Sequence, residues 1–301
     1  MPVQVPKDKV IITVAQTGAI TTKALNPGVP EQPDEIIQSA KDCYNAGAAV
    51  IHIHARDPQG GNSADVEIFK AIHRGIREAG VPVILQDSTG GGPELTQEER
   101  IACLYARPEM ASLNMGTMMR TSGKYKGVPW SNMPDEIVYY AEKMKELGVK
   151  PEMEIYNHAM IQEVKALIKT GLLKPPYHVD LVLGMKYQGA EPGDVKTFMS
   201  IMNMLPDECS FNTAGIGGAQ LPLAILSMLN NGNVRCGLED NVFFSKGVLA
   251  VSNAQIVERI VRIARDLGKE PMTPEEARAF LGLESLETRA AKEKEWFAPA
   301  K

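Results

Sequence analysis

Eight short apolar runs recur along this chain, most of them rich in Val and Ile, and longer segments of helical period lie between them. The runs fall at 10–15 (VIITVA), 49–54 (AVIHIH), 82–87 (PVILQD), 110–114 (MASLN), 150–155 (KPEMEI), 177–183 (YHVDLVL), 208–214 and 233–237 (NVRCG). Strands that alternate with helices cannot pair as hairpins. They pair in parallel, with each helix returning the chain across the sheet. Eight such units fit a TIM (β/α)8 barrel, and the alternative is an open, doubly wound sheet. The helical segments carry start and stop chemistry: Pro33 and Pro134 followed by acids, then Gly47 and Gly148 at the far ends. No linker or composition shift divides the 301 residues, so residues 8–272 read as one catalytic barrel. Residues 273–301 open on a capping box, Thr273 to Glu276, and read as an added C-terminal helix with an extension.

Composition excludes several classes. With 32 basic and 37 acidic residues the formal charge is −5, which offers no basic stripe for nucleic acid. No apolar run approaches the ~20 residues of a membrane span. The segment before the first strand lacks a signal-peptide core, and the 4 cysteines are scattered. The chain therefore reads as a reduced, cytoplasmic protein without a membrane partner.

In a barrel of this kind the active site forms at the C-terminal ends of the strands, and that rim is where the polar residues gather. His52 and His54 lie two residues apart, so both imidazoles share one face of a strand. They are either satisfied core histidines or two ligands of a metal. A catalytic zinc site commonly has three protein ligands, and Glu239 in "RCGLEDN" is the best third candidate because the eighth strand adjoins the first on closure and the second lies one further round, with Glu154 as the alternative. Ser88, Asn114, Thr117, Glu154 and the pair Arg235–Asp240 sit at the same rim. His158 also falls there, whereas His73 lies within a helix and His178 at the opposite rim, where structural roles are expected. Gly215, Gly217 and Gly218 follow the seventh run and precede a helix, a setting in which backbone N–H groups cradle phosphate. They do not form the G-x-G-x-x-G fingerprint with a downstream acid, which disfavours NAD.

Taken together, "VIITVAQTGAITTKALNPGVPEQPDEI", "GAAVIHIHARDP", "QDSTGG", "MASLNMGT", "PEMEIYNHAMI" and "RCGLEDNVFFSKGVLAVSNAQIVERIVRIA" resemble the β-keto acid cleavage enzymes, from about residue 8 to 283. The best-known activity of that family is 3-keto-5-aminohexanoate cleavage. The resemblance implies a TIM barrel, a homotetramer, a divalent metal that is normally zinc, and acetyl-CoA as co-substrate. It implies His52, His54 and Glu239 as metal ligands, Asp240 as general base and Arg235 as its support. Ser88 and Thr117 would lie near the substrate carboxylate, and Glu154 after the fifth strand. At one place the chain departs from the aminohexanoate enzymes: their "TGAET" is "TGAIT" here, with Ile20 where their glutamate grips an ammonium group. A hydrocarbon cannot compensate a buried ammonium, so the expected substrate is a β-keto acid with a neutral, apolar side chain. Two other readings are a zinc-dependent TIM-barrel hydrolase and a non-catalytic metal-binding protein. Amidohydrolase barrels, however, place their H-x-H on the first strand and add histidines on the fifth and sixth. A scaffold has no use for Ser88, Thr117, Arg235 and Asp240 around one cavity.

Overall fold

The computed structural model describes residues 5–123 and 125–298. Eight parallel strands close into a barrel in chain order: β1 (Ile12–Ala15), β2 (Val50–Ile53), β3 (Ile84–Asp87), β4 (Met110–Asn114), β5 (Lys150–Ile155), β6 (Tyr177–Leu183), β7 (Cys209–Gly215) and β8 (Val234–Cys236). Closure is direct, because β8 pairs with β1 through Val234↔Ile12 and Cys236↔Val14. That pairing excludes the open sheet. The strands are shorter than the apolar runs at several ends. Val10, for instance, leaves the barrel to pair with Pro271 in a small parallel ladder.

Helices α1 (Pro33–Ala46), α2 (Val66–Glu78), α3 (Gln97–Arg100), α4 (Pro134–Leu147), α5 (Met160–Lys169), α6 (Val195–Met202), α7 (Gln220–Leu229) and α8 (Asn253–Asp266) follow the strands in turn. The ends of α1 and α4 form as their sequences imply. Proline enters each first turn, a glutamate reaches back to the cap N–H, and glycine closes the C-terminus. Ile36, Ile72, Phe198 and Ile256 on the helices pack on Ile51, Leu85 and Leu113 of the strands. Burying each such side chain contributes roughly 1.5–3 kcal/mol before entropy is charged against it.

Inside the barrel the packing is unusual. Apolar residues (Ile11, Val50, Ile84, Met110) plug the bottom, but above them the buried residues are polar. His178 bonds Ser210 at 2.8 Å, Asn212 bonds Glu152 at 3.3 Å, and Arg235 spans from β8 to Glu154 on β5 at 2.8 Å. A barrel built only for stability fills this space with branched apolar side chains. Here the interior is a charged network that supports the rim.

The tail forms two helices, α9 (Pro274–Leu281) and α10 (Leu286–Trp296), where the sequence suggested one helix and an extension. They pack on the bottom of this chain's own barrel, through Arg278 to Glu109 and Arg77 to Glu293. Over the opposite rim lies a three-stranded antiparallel sheet that sequence reasoning missed. It joins Met118–Arg120 to Pro129–Trp130 and Tyr187–Gln188. No helix among the described residues is long and apolar enough to cross a membrane.

Candidate active site

A cavity of about 280 Å³ opens at the C-terminal ends of the strands, with His52, His54, Glu239, Arg235 and Asp240 in its lining. Strand periodicity brings the two imidazoles to one face, with ring centroids 5.2 Å apart. The Nε2 atoms of His54 and His52 lie 3.5 and 3.9 Å from Glu239 Oε1. His52 Nδ1 lies 2.9 Å from the amide oxygen of Gln86, which can only accept, so Nδ1 carries the proton and Nε2 keeps its lone pair. Burial, then the Arg235 charge, lowers the His52 pKa to about 4 and keeps the ring neutral. Glu239 Oε2 is buried without a hydrogen-bond partner. Glu154 lies in a separate acidic group with Glu152 and Asp180, so Glu239 is the carboxylate that converges with the histidines.

A tight turn after β8 places Glu239. Gly237 has φ +131°, and a Cβ there would meet Ala15 O at 2.2 Å. The turn brings the Glu239 N–H to Ala15 O at 3.1 Å. Next in sequence, Asp240 accepts from Arg235 Nε at 3.1 Å and from its NH2 at 3.2 Å. Burial pushes the Asp240 carboxyl up to about 6, against the pull of Arg235.

A model of the β-keto acid cleavage enzymes matches residues 9–283. The chain belongs to that family. It is 39% identical over 276 residues to the 3-keto-5-aminohexanoate cleavage enzyme of Acetoanaerobium sticklandii, covering 92% of this chain and 99% of that protein. It is 34% identical over 278 residues to the 3-oxoadipate:acetyl-CoA acetyltransferase of Cupriavidus necator, covering 92% of this chain and 96% of the other. Among solved structures, ObcA with oxaloacetate superposes with a TM-score of 0.72 at 20% identity, over 87% of this chain and 68% of that one. At that identity the likeness is one of fold.

In this β-keto acid cleavage enzyme the charge around Arg235 fits a bound cation. The guanidinium meets Glu154 and Glu239 at 2.8 Å, Asp180 at 3.4 Å and both oxygens of Asp240. One cation cannot balance four carboxylates in a buried space. The strain shows as displaced ionisation: burial lifts Glu154 to about 7, and burial with the neighbouring Glu152 charge lifts Asp180 well above the carboxylate range. Burial also opposes ionisation of Glu239, yet His54 and Arg235 beside it hold it well below that range. Two imidazoles, an ionised carboxylate with a bare oxygen, and surplus negative charge nearby suit a divalent ion.

Other expected site residues are distributed unevenly. Ser88 lines the cavity, with Oγ accepting from Gly90 N at 3.2 Å. Ile20 is also in the lining and is 67% exposed. Asn114 lies outside the lining, and its Oδ1 accepts from Tyr156 OH at 2.6 Å. Tyr156 OH also lies 3.0 Å from Glu154 Oε2, so Asn114 acts on the wall at one remove. Thr117 is not in the cavity wall. Its hydroxyl accepts from Asn132 N at 2.9 Å and braces the turn into α4. Gly215 is a packing glycine, since a Cβ would meet Ala219 O at 2.4 Å, and the Gly217 N–H is bonded to Asp240 O at 2.7 Å. A Cβ at Gly217 or Gly218 would meet nothing within 4 Å, so that side of the loop is open. His158 is held between Glu191 and Ser200 at 2.6 and 2.7 Å, away from the lining. His73 pairs with buried Asp87 at 2.8 Å and His178 with Glu152 at 3.2 Å, both structural. Sequence reasoning missed Gln86 as the partner of His52, and Asp180 and Tyr156 as partners of the charged network. Each sits two residues from an inward-facing polar residue, which is the signal that marks it.

The close approach of Gly18 to Glu239 gives a first prediction. A Cβ at Gly18 would lie 2.7 Å from Glu239 Cγ, at φ +74°. Gly18→Ala is expected to displace the carboxylate and lower affinity for a divalent ion about 10-fold or more, the scale seen when a ligand's support is lost. Competition with a chromogenic chelator measures it; wild-type affinity would mean that Glu239 is not a ligand.

Proposed function

We propose that this enzyme condenses a β-keto acid bearing a neutral side chain with acetyl-CoA, giving acetoacetate and a new acyl-CoA, and that it needs a divalent metal. The observation that carries the reading is the convergence of His52 Nε2, His54 Nε2 and Glu239 beside an Arg235-clamped Asp240 in one cavity. His52, His54 and Glu239 would hold the ion, for which a His₂Glu set favours zinc. When bound, it supplies Lewis-acid polarisation of the keto group and electrostatic stabilisation of the enolate.

The chain's own residues account for the proton transfers. Asp240 takes a proton from the carbon between the keto and carboxylate groups, and Arg235 holds its carboxylate in place. The carbanion attacks the acetyl thioester and expels the CoA thiolate. The thiolate then attacks the original keto carbon and breaks its bond to the central carbon. Asp240 returns the proton to that carbon, and acetoacetate leaves with the metal site unchanged. Adjacent acids suit this division, since Glu239 is spent on the ion while Asp240 stays free. Ile20 supports the neutral side chain, because the cavity wall offers no carboxylate at that point. An ammonium held beside it would find no counter-charge on that side chain.

An acetoacetate-release assay on zinc-loaded protein tests the reading, with acetyl-CoA and β-keto acids of graded side-chain polarity. Neutral keto acids are expected to give acetoacetate only when both acetyl-CoA and metal are present, and chelation should abolish turnover. The amino compound, 3-keto-5-aminohexanoate, should be the poorest member. Its cleavage at the rate of the best neutral acid would remove the neutral-side-chain reading, and silence across the panel would remove the reaction.

A further inference from the structure

A second charged feature of the cavity is not used by the proton transfers. Arg120 ends the strand Met118–Arg120 of the sheet over the rim, is 6% exposed, and lines the cavity. Among the described residues its guanidinium has one hydrogen-bond acceptor, Pro129 O at 3.0 Å, and no carboxylate partner. Arg235, Arg278 and Arg289 each meet at least one carboxylate. Arg56 has none within ion-pair distance, but it donates to three backbone carbonyls, those of Gly18, Thr21 and Gly60. Arginine carries five N–H donors, so Arg120 is left with both charge and donors to offer.

Its surroundings add to the excess. The guanidinium stands 5.8 Å from the ring centroid of Trp130, which packs edge-to-face on Tyr156 and Tyr187. Trp130 Nε1 is a buried donor with no acceptor. The indole edge lies against the Gly90 turn, where a Cβ on Gly90 would be 3.7 Å from Trp130 Cζ2 and 3.2 Å from Ser88 Oγ. Arg100 shares a smaller adjoining cavity with Arg120, Gly90 and Gly92. Its N–H groups go to neutral acceptors, Thr89 O, Ser131 O and Asn132 Oδ1. Two guanidinium charges thus flank an aromatic wall without a carboxylate in contact. A ligand that fills the cavity strips water from Arg120, and a desolvated charge without a counter-charge is costly. The counter-charge must come with the ligand.

We propose that Arg120 and Trp130 Nε1 form an oxyanion-binding subsite of the catalytic cavity, which anchors an anionic group of a substrate. On the reaction proposed above, on which the choice of ligands rests, two groups have this chemistry: the carboxylate of the β-keto acid and the phosphates of acetyl-CoA.

Titration calorimetry on the zinc-loaded enzyme tests the subsite and separates the sources. Each anionic probe is paired with a neutral counterpart: acetoacetate with methyl acetoacetate, and acetyl-CoA with S-acetylpantetheine. Arg120→Met is expected to weaken one anionic probe about tenfold or more, the loss of a charge-assisted bond, and to leave its neutral counterpart unchanged. Arg120→Lys should recover part of the loss. A loss confined to acetoacetate assigns the keto acid's carboxylate, and a loss confined to acetyl-CoA assigns the phosphates. Unchanged binding of both anions, or equal weakening of each anion and its neutral counterpart, overturns the subsite. Should Arg120→Met fail to fold, Trp130→Phe removes the indole donor while keeping an aromatic ring and is expected to shift the same probe in the same direction. Binding is read without turnover, so an enzyme inactive on every keto acid still tests the subsite.

Discussion

Asp240→Asn is expected to lower kcat for acetoacetate formation by about 10²–10⁴-fold, the usual contribution of a positioned general base. Divalent-ion binding and thermal stability should stay near those of the wild type. The amide has the volume of the carboxylate and can still accept from Arg235, so the clamp at 3.1 and 3.2 Å keeps one of its bonds. It has no basicity at the oxygen, so proton removal from the substrate carbon stops. The pKa of about 6 matters here. Burial makes Asp240 a stronger base than an exposed aspartate, while Arg235 keeps it ionised near neutral pH. Glu154, lifted to about 7, is the other carboxylate in the lining with a suitable pKa. Both of its oxygens are occupied, by Arg235 NH1 at 2.8 Å and Tyr156 OH at 3.0 Å, and it lies outside the histidine cluster. Glu154→Gln should therefore cost less turnover than Asp240→Asn. The reverse order, with metal content intact in both variants, would move the base to Glu154.

The barrel was legible because strand and helix periodicities alternate along the chain in eight units, which fit a (β/α)8 barrel, while the open sheet was excluded only by the pairing of β8 with β1. His52 and His54 were legible for the same reason: a two-residue spacing on a strand admits one geometry. The preference for Glu239 over Glu154 followed from strand order, since the eighth strand closes beside the first, but the turn at Gly237 pressing on Ala15 that sets the carboxylate left no pattern in the sequence. Thr117 shows the same limit from the other side. It sits three residues past the end of β4, where nothing periodic constrains direction, and its hydroxyl turns to the α4 cap. Arg120 and Trp130 belong to strands of two or three residues, too short to leave a pattern. The tail gave an apolar periodicity weak enough to read as one helix, and the ion pairs that seat it join residues 169 and 216 positions apart.

Those ion pairs predict a large loss of stability far from the active site. Glu109 is fully enclosed at the bottom of the barrel, where it accepts from Arg278 Nε at 2.6 Å and NH2 at 2.9 Å. It also accepts from Arg77 NH2 at 2.9 Å and the Leu85 N–H at 3.2 Å. Arg278 is 1% exposed, and its other close partners are Val83 O at 3.0 Å and, at 3.5 Å, exposed Glu275. Glu109→Ala leaves that guanidinium buried with its main counter-charge gone. Removing one partner of a buried pair costs about 3–5 kcal/mol, more than the pair itself contributes, because the remaining charge has no solvent to turn to. Arg77 is better protected, since Glu293 still meets its Nε at 2.9 Å. The comparison is Lys9–Glu276, a solvent-exposed pair at 2.8 Å that also joins the tail to the first strand region. Glu276→Gln should cost less than about 1 kcal/mol, because an exposed pair is screened by water. Urea unfolding midpoints of the two variants measure the difference. Turnover of Glu109→Ala well below its midpoint should match the wild type, because the cavity lies at the other end of the strands. A Glu109→Ala loss no larger than that of Glu276→Gln would show that the tail is held by its apolar contacts, Ala277 and Leu281 on Ile84 and Met110, and not by charge.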